Sequence, residues 1–523
     1  MKRNTTGKDI YLKLVKNKRT GAINVTIFQQ NSGEHVLQDT VISKLIDKKR
    51  YGIHVERYCT DVKEIYIQLN PKESVTEDTR TQVAELVKLC NKEDVTDISI
   101  SVIHHKGYEQ TIFAVVDGLY YGSYDFDKYK SEKKRKELNV FIERDSYIPL
   151  KQVINLNIAQ RYARNLVNTP GSDLTPDKYM DTIQNFFSVD NLKKHFSDVI
   201  FEDRSYETDV KPDPDAFGIQ VNSVVLVPRH IFTLPNGTIE VEYLTTAALE
   251  GQGYTGINAV GKGSINGTGM VSLTWRPNEP VHGDHYAFVG KGVTFDTGGI
   301  SLKPGDDMWE MKMDMGGSAA ALGAFIATVL NGTPVKTSAI LCLAENRPGD
   351  NSLLPGDIFT AANGKTIMVD NTDAEGRLVL TDGLYKAGKM GATHIADIAT
   401  LTGAVVASLG DKIAGVFSDD TEMVGGFINK AIKSGEKYWR LPLASEYREG
   451  LDDDCADICN MGGRPGAITA ALFLKEFVPE GVKWMHVDIA GPAMASKKWK
   501  YYGKGGTGFG VRALFLLPFN EVK

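Results

Sequence analysis

The chain has 523 residues, of which 42% are hydrophobic, and a formal net charge of -6. That length supplies a full core and exceeds one ordinary domain, while the modest charge does not by itself point to a nucleic-acid or membrane protein. The basic N-terminus has no apolar signal-peptide core, no run of about 18 apolar residues is evident, and the five scattered cysteines show no zinc-ligand pattern, so a cytoplasmic, reducing location is expected.

Residues 1–148 alternate β-rich runs (10–15, 23–28, 65–69, 98–103 and 111–116) with helical stretches such as 77–90, which predicts a smaller N-terminal α/β domain. Its basic run 128–136 reads as a solvated loop, and His104 and His105 as surface residues. A helix with apolar positions at Val153, Ile154, Leu156, Ile158, Tyr162 and Leu166 follows Pro149, so residues 149–174 are read as a connecting helix and linker. Residues 175–523 are then expected to form the larger C-terminal domain, with a mixed β-sheet sandwiched by helices. Within it, 203–247 reads as a surface excursion with a hairpin at Pro235-Asn236-Gly237. The stretch from Gly256 to Gly263 nearly matches a phosphate-binding loop but places Gly263 where a hydroxyl must hold magnesium, so no nucleotide site is expected there. Strands at 286–293, 338–343, 394–399 and 484–489, helices at 318–330 and 378–389, and an apolar segment at 509–517 complete the domain.

Four acids and two lysines stand in Gly-rich turns between these apolar runs: Lys291, Asp296, Lys303, Asp314, Asp373 and Glu375. In the segment 371–378, Asp373, Glu375 and Arg377 recur at every second position, and would share one side of an extended backbone. Four converging carboxylates repel one another, and two divalent cations neutralise them. Such a pair activates water and polarises a carbonyl at once. Oxygen and amine donors without thiolate suit Zn²⁺, Mn²⁺ or Co²⁺. A lysine amine must be neutral to coordinate, and a dication supplies the field that lowers its pKa. His486, inside an apolar strand pattern, reads as a hydrogen-bonded core histidine.

The motifs VGKGVTFDTGG, SLKP, KMDMGG and NTDAEGRL, in this order and spacing, resemble the signature set of the leucyl aminopeptidase family of dinuclear metalloexopeptidases, and further likeness covers roughly residues 150–523. The resemblance implies that Lys291, Asp296, Asp314 and Glu375 hold one metal ion, and that Asp296, Asp373 and Glu375 hold a second, more exchangeable one. It implies that Lys303 hydrogen-bonds the scissile carbonyl oxygen and that Arg377 holds a bicarbonate which takes the proton from the attacking water. It further implies an apolar pocket at Met311, Thr400, Gly403 and Ala490 that favours Leu and other apolar first residues of peptide substrates, and a homohexamer built as a dimer of trimers. Ala493 stands where some relatives carry a larger residue, which predicts a roomier pocket floor. An architectural, nucleic-acid-binding role resting on 128–136 and a dinuclear phosphoesterase are the alternatives; four acids beside two lysines serve no packing need, and phosphoesterase sites usually include histidines.

Overall fold

The N-terminal strands form a six-stranded sheet in the order Leu12–Leu14, Leu138–Ile142, Asp97–Val102, Ile23–Phe28, Asp61–Gln68 and Gly52–Tyr58, parallel except for the last pair. The computed structural model describes residues 12–15, 19–28, 51–58, 61–70, 72–103, 107–132, 137–144, 148–210 and 223–519. By contacts the chain divides into one unit of Met1–Asn157 with Lys497–Lys504, and a second of Ile158–Ser496 with Gly505–Lys523. His104, His105 and residues 133–136 of the basic run lie outside the described residues, and Lys128 and Lys130 are exposed.

In the first unit the helices Val75–Lys92 and Tyr108–Ser123 pack closely because a Cβ on Gly122 would stand 2.6 Å from the Ala84 carbonyl oxygen. The expected strand at 111–116 lies inside the second of these helices. That helix is buried on most sides, so its apolar run shows no polar stripe from which a 3.6-residue period is readable.

The second unit is built on a ten-stranded sheet in the order Tyr438–Arg440, Ala414–Phe417, Lys483–Asp488, His394–Ala399, His285–Asp296, Lys336–Asn346, Gly269–Pro277, Gly237–Thr245, Arg229–Leu234 and Ile200–Asp203. The hairpin at Pro235-Asn236 is present, with Leu234 opposite Gly237. It is no surface excursion: Gly237–Thr245 pairs along its whole length with Gly269–Pro277, and Ile239 and Val241 are fully buried. Four elements of the parallel centre carry the chemistry and are labelled with their helices as β1 (His285–Asp296), α1 (Gly316–Asn331), β2 (Lys336–Asn346), α2 (Gly376–Lys389), β3 (His394–Ala399) and β4 (Lys483–Asp488). The segment 509–517 contributes the helix Val511–Leu516, which packs on α1.

Neighbouring residues of β1 fix which helix covers which face. A Cβ on Gly290 would lie 2.5 Å from Ser318 Cα in α1, whereas a Cβ on Gly383 of α2 would lie 2.5 Å from Val289. Successive strand residues face opposite sides, so α1 and α2 sandwich the sheet. The chain runs from β1 to β2 on one side and then back to β3 on the other, so the order reverses at β1. Crevices at the carboxyl ends of strands beside such a reversal are where open α/β sheets place ligands. By composition Met308–Asn331 is long and apolar enough to cross a membrane, but 94% of its apolar window is buried. This is a core helix.

Candidate active site

The carboxyl ends of β1 and β2 and the amino ends of α1 and α2 meet at one crevice. Lys291 shares the Val289 face of β1, beneath the start of α2, where a Cβ on Gly376 would stand 2.6 Å from Lys291 Cε. Only glycine leaves room there for the lysine. Glu375 stands at the N-cap of α2 and Asp314 one residue before that of α1, near helix ends whose partial positive charges favour anions. Asp296 ends β1, and Gly298 and Gly299 follow with φ of 87° and 67°. This turn lets the chain fold back close to Asp373, since a Cβ on Gly298 would lie 2.9 Å from Asp373 Oδ1.

The six residues converge. Lys291 Nζ lies 2.7 Å from Asp314 Oδ2 and 2.8 Å from Glu375 Oε1, and donates to the Thr400 carbonyl oxygen at 2.9 Å. Lys303 Nζ lies 2.8 Å from Asp296 Oδ2 and also pairs with Asp373. One oxygen each of Asp296, Asp314 and Glu375 can be chosen so that all three lie within 4.8 Å of one another, and all three residues are buried. Among the described residues Glu375 Oε2 has no hydrogen-bond partner, and neither Asp314 Oδ2 nor Asp373 Oδ1 has one with hydrogen-bonding geometry, although each faces a lysine. Buried oxygens are rarely left in that condition. The residues therefore fit a divalent cation.

Two lysines do not balance four acids. Burial, together with the repulsion of Asp296, raises the carboxyls of Glu375 and Asp373, and Asp314 is raised well above the usual range by burial and by Glu375 and Asp296. Burial favours the neutral amine of Lys291, but Asp314, Glu375 and Asp296 outweigh it and hold the ammonium protonated. Lys303 is raised in the same sense, against burial, by Asp296 and Glu375.

The remaining expected residues occupy distinct places. The segment 371–378 is not extended: residues 371–375 form a turn and Arg377 lies in the first turn of α2. Its Nη1 donates to the Asn460 carbonyl oxygen at 2.7 Å, its Nε has no partner among the described residues, and burial lowers its guanidinium to about 10. Thr400, just past β3, donates its hydroxyl to Asp314 Oδ1 at 2.8 Å. Met311 is half-buried on the short helix Met308–Met313, Gly403 is exposed at the start of the helix Gly403–Leu409 with open space where a Cβ would be, and the Ala490 amide donates to Asp488 Oδ1 at 3.1 Å.

Three residues with no role assigned from the sequence position the site, two of them, Asn460 and Asp488, within segments that share the family likeness. Asn346, at the end of β2, donates to Asp296 Oδ1 at 2.8 Å and to the Thr372 carbonyl oxygen at 3.0 Å, tying two ligand turns together. Asp488, at the end of β4, accepts from the amides of Leu401, Thr402 and Ala490. Asn460 accepts the Asp370 amide and donates to the Asn371 carbonyl oxygen. His486 is a core histidine: fully buried, it lies 2.5 Å from Asp397 through Nδ1, and Asp397 also takes the Trp484 indole N–H. The near-match to a phosphate loop starts the helix Thr255–Gly261, whose Ile257 amide donates to the buried carboxylate of Asp382. An internal carboxyl group occupies that helix end.

Residues 223–515 match the family model described as "Cytosol aminopeptidase family, catalytic domain". A probable cytosol aminopeptidase of Aquifex aeolicus is 36% identical over 87% of this chain and 84% of its own. Among solved structures, a mutant of tomato leucine aminopeptidase superposes with a TM-score of 0.78 at 26% identity, covering 98% of this chain and 97% of that one. The bottromycin maturation enzyme BotP in complex with Mn gives a TM-score of 0.76 at 28% identity, over 95% and 98%.

Proposed function

The chain belongs to the cytosol aminopeptidase family of metal-dependent hydrolases, and on that premise we propose that it removes Leu and other apolar N-terminal residues from peptides with two divalent ions per subunit. Lys291, Asp296, Asp314 and Glu375 would hold one ion, and Asp296, Asp373 and Glu375 the other. When bound, such ions lower the pKa of a water and polarise a carbonyl. The observation that carries this reading is the buried convergence of Asp296, Asp314 and Glu375 with Glu375 Oε2 unpartnered.

The chain's own residues supply the rest. Lys303, partly exposed at the mouth, is held cationic and is the donor for an oxygen gaining negative charge. Arg377 remains cationic at neutral pH, and its unpartnered Nε is suited to a small anion such as bicarbonate, which would take the proton from the attacking water. Asp314, steadied by Thr400, and Asp296, steadied by Asn346 and the Gly298 amide, keep their carboxylates aimed at the crevice. Met311, Thr400, Gly403 and Ala490 would receive the first side chain, and a free α-amine would occupy a position on the exchangeable ion. A cytoplasmic homohexamer, a dimer of trimers, completes the reading; sedimentation of active protein as monomer alone would contradict it.

The test is cleavage of leucyl-p-nitroanilide before and after chelation, with Mn²⁺, Zn²⁺ and Co²⁺ restored separately. Chelator-sensitive cleavage rebuilt by metal is expected. A metal-loaded protein that cleaves no member of a panel of aminoacyl substrates would sink the proposal.

A further inference from the structure

The six-stranded sheet of the first unit ends on Gly52–Tyr58, which pairs with Asp61–Gln68 on one side and, among the described residues, with no strand on the other. Ile53 and Val55 stand directly opposite the buried Ile67 and Ile65, so all four side chains point to one face of the sheet. On the helix Val75–Lys92, Glu85, Lys88, Leu89 and Lys92 follow at i, i+3, i+4 and i+7 and form one stripe. That stripe and the two strand residues line a groove of about 360 Å³. Ile53, Val55 and Leu89 are half-buried in it, and Lys88 and Lys92 are exposed along its rim.

The charge that the rim still offers is positive. Glu85 is held between Lys88 at 3.2 Å and Lys498 at 2.6 Å, whereas Lys92 has no ion partner among the described residues. A lysine in the last turn of a helix is ordinary, and lysines commonly guard strand edges. A guarded edge is usually very short, bulged or charged on its inner face. Here pairing is regular over Gly52–Glu56, and two β-branched residues face the groove. A strand added to this edge would lie about 4.8 Å from Gly52–Tyr58, with every second side chain entering the groove.

We propose that this groove docks an extended peptide segment of a partner protein, apolar at alternate positions and acidic where it passes Lys88 and Lys92. The segment adds a strand to Gly52–Tyr58 and lays its apolar side chains between that strand and the helix. Backbone hydrogen bonds supply affinity, and the groove with its two lysines supplies selection. Nucleic acid fits less well, because a duplex offers neither strand donors for the edge nor apolar side chains for Ile53, Val55 and Leu89.

The test uses the full chain and an acetylated, fluorescein-labelled peptide amide, Val-Thr-Val-Thr-Asp-Asp, followed by anisotropy and by amide hydrogen exchange. The acetyl cap removes the free amine on which the proposed cleavage depends, so failure of the aminopeptidase reading leaves this outcome untouched. Saturable binding is expected, with exchange at alternate amides of residues 52–58 slowed about tenfold or more. Exchanging the two aspartates for lysines should weaken binding about tenfold, and Lys88→Glu/Lys92→Glu should invert that preference. Should this variant not fold, Lys88→Ala/Lys92→Ala takes its place, and the preference for the acidic peptide should then vanish. Replacing the central Val-Thr pair by Pro-Pro removes whichever N–H faces the edge and should abolish binding. No saturable binding, binding indifferent to the charge exchange, or binding without protection of residues 52–58 would overturn the proposal. So would a DNA duplex that displaces the peptide through the same lysines without that protection. Protection of 52–58 that exists without peptide and fades on dilution would place a second copy of the chain there instead, and would equally overturn it.

Discussion

The two units bury charge to opposite ends. In the first, Arg80 lies between Glu77 at 2.6 Å and Asp117 at 2.9 Å, Asn157 donates to the other oxygen of Asp117, and Lys500 reaches Glu77. Each acid there has its donors. In the second, four acids crowd two lysines and leave oxygens without hydrogen bonds. A matched buried network specifies packing, and an unmatched one that persists marks a place where something else is meant to bind.

The sharpest way to break this contrast is Asp373→Ala with Glu375→Ala. Cleavage of leucyl-p-nitroanilide should fall by about a thousandfold or more, because carbonyl polarisation and water activation are both lost, while the thermal midpoint of chelated protein should not fall. A large loss of stability would mean that these acids serve packing after all. The mirror experiment is Asp117→Ala, which leaves buried Arg80 with Glu77 but takes away its second carboxylate and the acceptor of Asn157, at a cost of about 3 kcal/mol. Denaturation followed by exchange at Val75–Lys92 should register it, with metal affinity unchanged. Asn346→Ala should weaken metal binding about 10- to 100-fold, the usual range for a residue that orients a ligand, read by titration against a competing chelator. The smallest effect concerns Asp382, whose carboxyl burial pushes up to about 7. Its folded pKa lies above its unfolded one, so the stability it contributes is complete below about pH 4 and is lost as pH rises through 7. Asp382→Asn should flatten that part of the midpoint-against-pH curve; an unchanged slope would show that the group does not titrate there.

Much of the site was legible because its chemistry needs particular residue types at turns, and Lys291, Asp296, Lys303, Asp314, Asp373 and Glu375 do meet. What eluded sequence reasoning was of two kinds. Asn346 and Asp488 lie at the ends of buried strands, where one polar residue looks like a strand terminus until the fold shows which amide or carboxylate it meets. The segment 111–116 was misread because burial on several sides erases the polar stripe of a helix, whereas the hairpin within 203–247 was recognised but taken for a surface excursion because the polar face of Gly237–Thr245 hides its pairing into the main sheet. The extended reading of 371–378 failed because Gly376 starts a helix immediately after the acids.

The apolar helix α1 has a consequence for how the protein is made. A Cβ on Gly323 would stand 2.7 Å from Val511, and Ala320 lies against Gly510, so α1 receives part of its cover from a segment synthesised long after it. While the nascent chain still lacks Val511–Leu516, a stretch with the hydropathy of a membrane span awaits its last partner, the condition in which transiently exposed apolar surface favours aggregation.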